Sequence, residues 1–368
     1  MGRVRRSFAF GLLSCLSVVT TVSSPAWAST SSLAGKSATP QWRFTGTGVD
    51  SPLFSVDLVN RSVIWASGGG FDDSTNDGAV VRSVDGGRTW RNVTPPGGVS
   101  QLFHDVEAFD AEHALILAVG AGEKSRIYRT DDGGTTWRRT FTNRDPDAFY
   151  DCMAFFDDRH GLAVSDPVGG KFPILSTEDG GRSWRLTKTP GMPLALPNEF
   201  ARATGSCLVT SGRRDAWFGT NPVDSAQARV FHTANAGRTW TVANTPIPGG
   251  PDGIMSLSFR DRLNGMAVGG TFKPISLGAA ARTSDGGRTW VSVAAPAGFR
   301  SGVAWTRDSG RGDDAVAVGP TGSDFSPDAG RHWSFLDPTM LLGVSCLRPD
   351  DCWAVGGHGQ AGRLVSRR

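Results

Sequence analysis

Six copies of one short motif constrain this chain of 368 residues more than any other feature of its sequence. Each copy reads Ser/Thr-x-Asp/Asn-x-Gly-x-x-Trp, and the six tryptophans follow one another at intervals of 47, 47, 56, 50 and 43 residues. The copies occupy residues 83–90, 130–137, 177–184, 233–240, 283–290 and 326–333. A period in the forties, with room for several short strands per unit, indicates the blades of a β-propeller.

The residue types of the motif have a structural explanation. An Asp or Asn side chain accepts hydrogen bonds from neighbouring backbone N–H groups and so closes a turn. The Gly adopts a left-handed conformation that other residues resist, and the Trp ring covers the turn and the adjacent strands. We therefore expect a hairpin turn between the outer two strands of each blade, with a structural turn cap rather than a catalytic acid or calcium ligand at the third position. The six capping residues are Asp85, Asp132, Asp179, Asn235, Asp285 and Asp328.

A second pattern lies upstream of the motif. An apolar segment, a polar turn and a second apolar segment follow one another at 106–120, 153–165 and 257–269, and the second half recurs at 315–319 and 353–356. These segments read as two strands. Together with the two strands around the motif, they predict four strands per blade.

The two ends of the chain decide how many blades there are. Residues 341–368 contain three strand-like segments but no copy of the motif. Trp42 lies 48 residues before Trp90, and its surroundings resemble the strand that follows each copy. An N-terminal strand that completes the last blade closes the ring and leaves no free sheet edge. The sequence therefore predicts an all-β, seven-bladed β-propeller over residues 40–368.

The first 28 residues read as a cleaved secretory signal peptide. Arg3, Arg5 and Arg6 precede an apolar stretch too short to cross a bilayer, and residues 26–28 supply a small-x-small cleavage site. An uncleaved anchor and a lipoprotein are the alternatives. Residues 29–39 are predicted to form a flexible leader. We expect a secreted or periplasmic protein without a membrane span in its mature chain.

Charge and cysteine content narrow the classes of partner and cofactor. The formal net charge is only +3, and several positive charges lie in the predicted signal peptide, so no nucleic-acid partner is indicated. Cys346 and Cys352 flank a turn sequence and are predicted to form a disulfide. For Cys152 and Cys207, a bridge between neighbouring blades and two free buried thiols both remain open. No spacing of Cys, His or Asp matches a zinc or calcium site, so we predict no metal and no cofactor.

With these repeats, the mature chain resembles the photosystem II stability/assembly factor-like proteins. It looks most like exported bacterial proteins with BNR or Asp-box repeats, within the sialidase-type propeller superfamily. Besides the motif copies, residues 165–172, 203–212 and 215–220 carry the resemblance, which covers about the whole mature chain. The photosynthetic members are assembly factors that bind other proteins, so the resemblance implies a binding scaffold, although fold alone does not transfer function.

Polar residues fall where the predicted topology places the mouth of the central channel, a favoured location for ligand sites. His104, Asp105, Tyr150 and Asp151 occupy matching places in adjacent repeats and offer groups for general acid–base chemistry. The alternative is a solvated ring that binds water and caps strand ends. The candidate ligand-binding residues are Asp166, Lys171, Arg202, Asn221, Lys273, Arg300 and His358, with Asp72, Asp73, Lys124 and Glu199 in the same loops.

Two classes of function follow from this candidate site. The first is a non-catalytic scaffold, which we expect to be monomeric, that binds a protein or glycan at the channel mouth. The second is a glycan-cleaving enzyme, a glycoside hydrolase or lyase, with a carboxylate pair such as Asp105 and Asp151. A sialidase-like site requires a Tyr nucleophile, a Glu, an Asp and three Arg. Here only Tyr150 is placed as the nucleophile, and a third Arg is missing. We therefore favour the scaffold.

Overall fold

A computed structural model describes residues 40–70, 77–202, 204–250, 253–271, 276–306, 313–348 and 351–365. The predicted signal peptide and leader, residues 1–39, lie outside the described residues. Within the described ranges, no helix has the length and apolar character needed to cross a bilayer. Three short 3-10 turns occur at Gly98–Ser100, Gly122–Lys124 and Gly357–Gly359.

The described residues form 29 strands in seven antiparallel sheets. In chain order the strands are β1 (Gln41–Gly46), β2 (Leu53–Leu58), β3 (Ile64–Gly68), β4 (Ala79–Ser83), β5 (Arg91–Asn92), β6 (Phe103–Ala108), β7 (Ala114–Ala118), β8 (Arg126–Thr130), β9 (Arg138–Thr142), β10 (Tyr150–Phe155), β11 (Gly161–Ser165), β12 (Ile174–Thr177), β13 (Arg185–Leu186), β14 (Glu199–Ala201), β15 (Leu208–Ser211), β16 (Asp215–Pro222), β17 (Arg229–Thr233), β18 (Thr241–Asn244), β19 (Ile254–Phe259), β20 (Gly265–Thr271), β21 (Leu277–Thr283), β22 (Val291–Ser292), β23 (Gly302–Trp305), β24 (Ala315–Gly319), β25 (Gly322–Ser326), β26 (Ser334–Asp337), β27 (Leu341–Arg348), β28 (Asp351–Gly356) and β29 (Gln360–Val365).

Each sheet is one blade, and the prediction of a seven-bladed β-propeller is confirmed. Blades I, II and III are β2–β5, β6–β9 and β10–β13, and blades V and VI are β19–β22 and β23–β26. Blade IV contains β14–β18, because β14 and β15 both pair with β16. The expectation of four strands is therefore wrong for this blade, where the innermost position is divided between two short strands.

The ring closes in blade VII, which combines β27, β28 and β29 with the N-terminal strand β1. β1 pairs with β29 from Gln41 opposite Val365 to Gly46 opposite Gln360. The indole Nε1 of Trp42 donates a 2.9 Å hydrogen bond to Ser323 Oγ in blade VI. The first described strand thus completes the last blade, as predicted from the sequence, and its Trp42 also contacts blade VI.

The hydrophobic core lies between the blades. Seven clusters of buried side chains occur in the described residues, and each cluster joins two neighbouring blades. Trp90 of blade I and Trp353 of blade VII, for example, meet edge to face with 5.8 Å between ring centroids. Burying one large apolar side chain contributes about 1.5–3 kcal/mol. The blades are therefore held as a ring of similar interfaces rather than around one central core.

The six motif copies form turns whose polar groups satisfy one another; we call them box turns. In the first copy, Gly87 N–H donates to Ser83 Oγ (2.9 Å) and Thr89 N–H donates to Asp85 Oδ1 (2.9 Å). Hydrogen bonds from the Thr89 backbone and side chain lower the pKa of Asp85 to about 2. The same two backbone hydrogen bonds recur in the other five copies. These side chains are thus already engaged within their own turns.

Both pairs of cysteines are bridged. Cys346 and Cys352 face each other across the β27–β28 hairpin. Cys152 of β10 bonds to Cys207, which directly precedes β15, with 6.2 Å between the Cα atoms. The alternative of two free buried thiols is therefore wrong, and the second disulfide covalently links blades III and IV.

Candidate binding site at the channel mouth

The propeller has two opposite faces, which carry different sets of loops and turns. The connection face carries the loops between the second and third strands of each blade and the connections from one blade to the next. The turn face carries the turns between the first and second strands together with the box turns. Those described residues that the sequence offers for catalysis or ligand binding belong to the connection face or to the inner strands next to it.

One position of the inner strands joins neighbouring blades, and we call its occupants the clasp residues. In blade I, Ser55 Oγ accepts a hydrogen bond from the backbone N–H of Val106 in blade II (3.3 Å). In blade II, Asp105 Oδ2 accepts one from Met153 N–H in blade III (2.7 Å). In blades III and IV the position is occupied by the disulfide-bonded cysteines. The five clasp residues are Ser55, Asp105, Cys152, Cys207 and Ser256.

Asp105 and Tyr150, two of the catalytic candidates from the sequence, are buried between blades. Asp105 is fully buried, and its second carboxylate oxygen lies 3.3 Å from Ser55 Oγ. Burial raises the pKa of Asp105 to about 7. Tyr150 packs its ring edge against Phe141, with 5.2 Å between centroids, and burial together with nearby Asp145 raises the pKa of its phenol. A general acid or nucleophile must reach its substrate, whereas both of these side chains contact residues of neighbouring blades.

The other two members of that group also lie among packed side chains. Asp151 is buried in β10, next to Tyr150 in the chain. His104 is half-buried, and its ring lies 4.5 Å from that of Phe54 in blade I. His104 thus lies at the contact between blades I and II, whereas Asp151 is buried within an inner strand of blade III.

Three of the proposed ligand-binding residues also connect structural elements. Arg300 is fully buried and donates from Nε to Asp324 Oδ2 at 2.6 Å. Asn221 is fully buried and exchanges hydrogen bonds with the backbone of Ile254 in blade V. Asp166 Oδ1 accepts from Ala201 N–H of blade IV at 2.9 Å. Arg300 and Asn221, which the sequence offers as ligand-binding candidates, are both fully buried and hydrogen-bonded within the protein.

The remaining candidates differ in exposure. Lys171 and His358 are exposed on the connection face, and His358 Nδ1 lies 3.2 Å from Asp50 Oδ1. Arg202 is half-buried with its guanidinium 4.9 Å from the centre of the Phe200 ring. Lys273, Asp72 and Asp73 lie outside the described residues. Within the described ranges, no three His, Cys, Asp or Glu side chains form a group that could hold a metal ion.

The connection face also carries an apolar feature that the sequence analysis did not identify. Leu194, Leu196 and Val223 are 61%, 38% and 44% exposed, and they lie on two adjoining segments at blades III and IV. We call these three residues the apolar ridge. The signal in the sequence is the run Pro-Leu-Ala-Leu-Pro at 193–197, in which prolines favour an extended backbone and alternate residues face the same side.

A buried ion pair holds the apolar ridge in place. Arg229 Nε donates to Glu199 Oε1 at 2.8 Å, and Arg229 Nη2 donates to the carbonyl of Leu194 at 3.0 Å. Glu199 Oε2 accepts from Leu196 N–H at 2.8 Å. Asn198 Nδ2 donates to Asp224 Oδ2 at 2.7 Å and so joins the two segments. Glu199, which the sequence analysis places in the candidate loops, thus supports the ridge.

The chain is therefore a seven-bladed propeller whose connection face carries the apolar ridge. No family model and no curated protein matches the chain. Among solved structures, YCF48 bound to a D1 peptide is similar, with a TM-score of 0.63 at 15% identity over 89% of this chain and 97% of that chain. YCF48 from Cyanidioschyzon merolae gives 0.61 at 15% identity over 88% and 99% of the two chains.

An enzyme with the same architecture is also similar. The GH74 xyloglucanase from Xanthomonas campestris has a TM-score of 0.54 at 15% identity, over 87% of this chain and 60% of that chain. Identities this low show a shared fold alone, and one fold hosts both binding proteins and hydrolases. Function therefore has to be argued from the residues of this chain.

Proposed function

We propose that this protein is an exported, non-catalytic propeller that binds an extended segment of a protein partner along the apolar ridge of its connection face. The observation that carries the proposal is the combination of exposure and rigidity at Leu194, Leu196 and Val223. Exposed apolar side chains on a rigid backbone contribute apolar burial on binding without a large cost in conformational entropy.

The geometry of the ridge favours an extended ligand. Leu194 and Leu196 alternate along one segment, and a partner chain in the extended conformation presents its own alternate side chains at a similar spacing. YCF48 has been solved with a D1 peptide, so a propeller of this shape accommodates a peptide. We carry that property to this chain as part of the proposal.

The absence of catalysis is supported by the buried state of the acid–base candidates. Asp105 and Tyr150 have exposed fractions of 0% and 3%, and Glu199 is paired with Arg229. Export is supported by the signal-peptide pattern at residues 1–28 and by two disulfides, which form and persist in oxidising compartments.

Peptide selection tests the binding proposal. A displayed library of random peptides is selected on the purified protein, and selected peptides are titrated by fluorescence anisotropy. We expect the combined variant Leu194→Ser, Leu196→Ser, Val223→Ser to weaken binding by about tenfold or more, since losing apolar burial from three side chains exceeds the 1.4 kcal/mol that a factor of ten requires. The matched control is Leu186→Ser, Val291→Ser, Phe335→Ser, which removes exposed apolar groups from outer strands.

Two outcomes would contradict the proposal. Equal affinity of the selected peptides for the ridge variant and the control would place the binding surface elsewhere. Cleavage of any member of a glycan panel, abolished by Asp151→Asn or Tyr150→Phe with an unchanged melting temperature, would establish catalysis at the inner strands.

A further inference from the structure

The turn face contains a cleft that none of the functional candidates above uses. It has a volume of about 470 Å³ and lies between the first turns of blades IV and V. Four arginines line it: Arg213 and Arg214 from blade IV, and Arg260 and Arg262 from blade V. A concave surface lined by guanidinium groups concentrates positive potential and attracts anions.

The acidic residues of the cleft are engaged in local contacts. Asp261 Oδ1 accepts hydrogen bonds from the backbone N–H groups of Leu263 and Asn264, both at 2.8 Å. Asp215 Oδ1 lies 3.0 Å from His232 Nε2, which donates to it. The Asp261 carboxylate closes a turn and the Asp215 carboxylate joins two strands. Each therefore already has an oxygen engaged in a hydrogen bond.

The arginines divide into one that is paired and three that are not. Arg260 Nη1 lies 2.9 Å from Asp313 Oδ1 and its guanidinium stacks over Trp305 at 5.1 Å. The side chains of Arg213, Arg214 and Arg262 make no hydrogen bond or ion pair with any residue that the structure describes. Four arginines and the two carboxylates of Asp215 and Asp261 line the cleft, so the formal net charge of its lining is +2, and three of the arginines have no bonded partner among the described residues.

The first turns of blades II and III have a net negative formal charge instead. Blade II has Asp110 and Glu112 in this turn, and blade III has Asp157, Asp158 and Arg159. The chain as a whole is nearly neutral, at +3. The arginine cluster is thus a local property of blades IV and V and not a consequence of a generally basic surface.

We propose that this cleft binds the phosphate group of a phosphate monoester. A guanidinium donates two parallel hydrogen bonds to an oxyanion. A phosphate monoester carries a charge of about −1.5 to −2 and three terminal oxygens, which matches three arginines, whereas a carboxylate carries one charge and two oxygens. The proposal is independent of the apolar ridge, which lies on the opposite face.

Isothermal titration calorimetry at low ionic strength tests it with three probes: inorganic phosphate, glycerol 3-phosphate and acetate. We expect both phosphates to bind and acetate to bind more weakly. The combined variant Arg213→Gln, Arg214→Gln, Arg262→Gln should lose at least about tenfold in phosphate affinity, because it removes the charge-assisted hydrogen bonds to the oxyanion. The control Arg91→Gln, Arg138→Gln, Arg139→Gln removes the same net charge from the outer strands of blades I and II.

Each of the following three results would overturn the proposal. Equal losses in the two triple variants would show that phosphate responds to net charge rather than to the cleft. Equal affinity for acetate and phosphate would make the site a carboxylate site. Binding of inorganic phosphate without binding of glycerol 3-phosphate would exclude an ester. None of these results depends on whether peptides bind the connection face.

Discussion

Two neighbouring blade junctions are held together at the same strand position, one by a hydrogen bond and the other by a disulfide. Between blades II and III, the clasp residue Asp105 accepts a hydrogen bond from Met153 N–H. Between blades III and IV, the clasp residues are Cys152 and Cys207, joined by a covalent bond. Both connections lie at the same register of the inner strands. The comparison teaches that this position serves to hold blades together, and that its residue type alone does not indicate catalysis.

The two junctions differ in how they respond to solution conditions. A buried carboxylate is costly to ionise, and burial raises the pKa of Asp105 to about 7. Neighbouring Glu107 also has its pKa raised, by burial first and then by Asp57 and Asp105. The disulfide has no titrating group but depends on the redox state. We therefore expect one junction to respond to pH and the other to reductants.

The largest expected effect comes from breaking the covalent junction. Cys152→Ser with Cys207→Ser removes a cross-link between residues 55 apart, and loop-closure entropy predicts a loss of about 4 kcal/mol in the free energy of unfolding. Calorimetry under oxidising conditions measures it. The control, Cys346→Ser with Cys352→Ser, opens a link across a separation of only six residues, for which the same relation gives about 2 kcal/mol. Equal losses for the two pairs would contradict the role assigned to the blade III–IV junction.

The carboxylate junction is expected to give a smaller, pH-dependent effect. The pKa of Asp105 is higher in the folded than in the unfolded chain, so the folded state binds the proton more tightly. Its contribution to stability is present at low pH and is lost as the pH rises towards the folded pKa of about 7. Between pH 5 and pH 8 this corresponds to roughly 2–3 kcal/mol.

The variant Asp105→Asn sharpens this test, because its carbonyl oxygen retains the acceptor for Met153 N–H while its amide group faces Ser55 Oγ. Its melting temperature should already exceed that of the wild type at pH 5, because the carboxyl group of the unfolded chain has ionised by then. The difference should grow up to about pH 7 and stay constant above. Differential scanning calorimetry across this range measures both proteins. If the difference between the two melting temperatures is the same at every pH from 5 to 8, Asp105 does not titrate in this range.

The fold was predictable because local signals repeat. The six box turns placed the outer strands, and the 48-residue interval between Trp42 and Trp90 indicated that the N-terminal strand completes the last blade, as β1 does. Blade IV was predicted less well. Its insertion lengthens the interval between tryptophans to 56 residues, but the interval does not reveal that two strands, β14 and β15, share one partner.

The candidate site was harder to predict because a bulge changes which way inner-strand residues face. Simple alternation places Phe103 and Asp105 on the same side of β6. In the structure they pair with the consecutive residues Ala118 and Leu117, with a register shift between them, so the bulge turns them to opposite sides. Asp105 therefore enters the blade junction instead of the channel mouth. A sequence pattern does not show where such a bulge falls.

The smallest expected effect concerns a junction with a neutral clasp. Ser256 Oγ accepts from Val303 N–H at 3.0 Å and lies 2.7 Å from Ser206 Oγ, linking blade V to blades VI and IV. Ser256→Ala leaves a buried N–H without its acceptor, which costs roughly 1–2 kcal/mol. Because no ionisable group is involved, the loss should be the same at pH 5 and pH 8, measured by the calorimetry used for Asp105→Asn. The exposed Ser292→Ala is the control and should change stability by less than about 0.5 kcal/mol. A pH-dependent loss at Ser256 would mean that the titration assigned to Asp105 spreads around the ring, and that the junctions do not act independently.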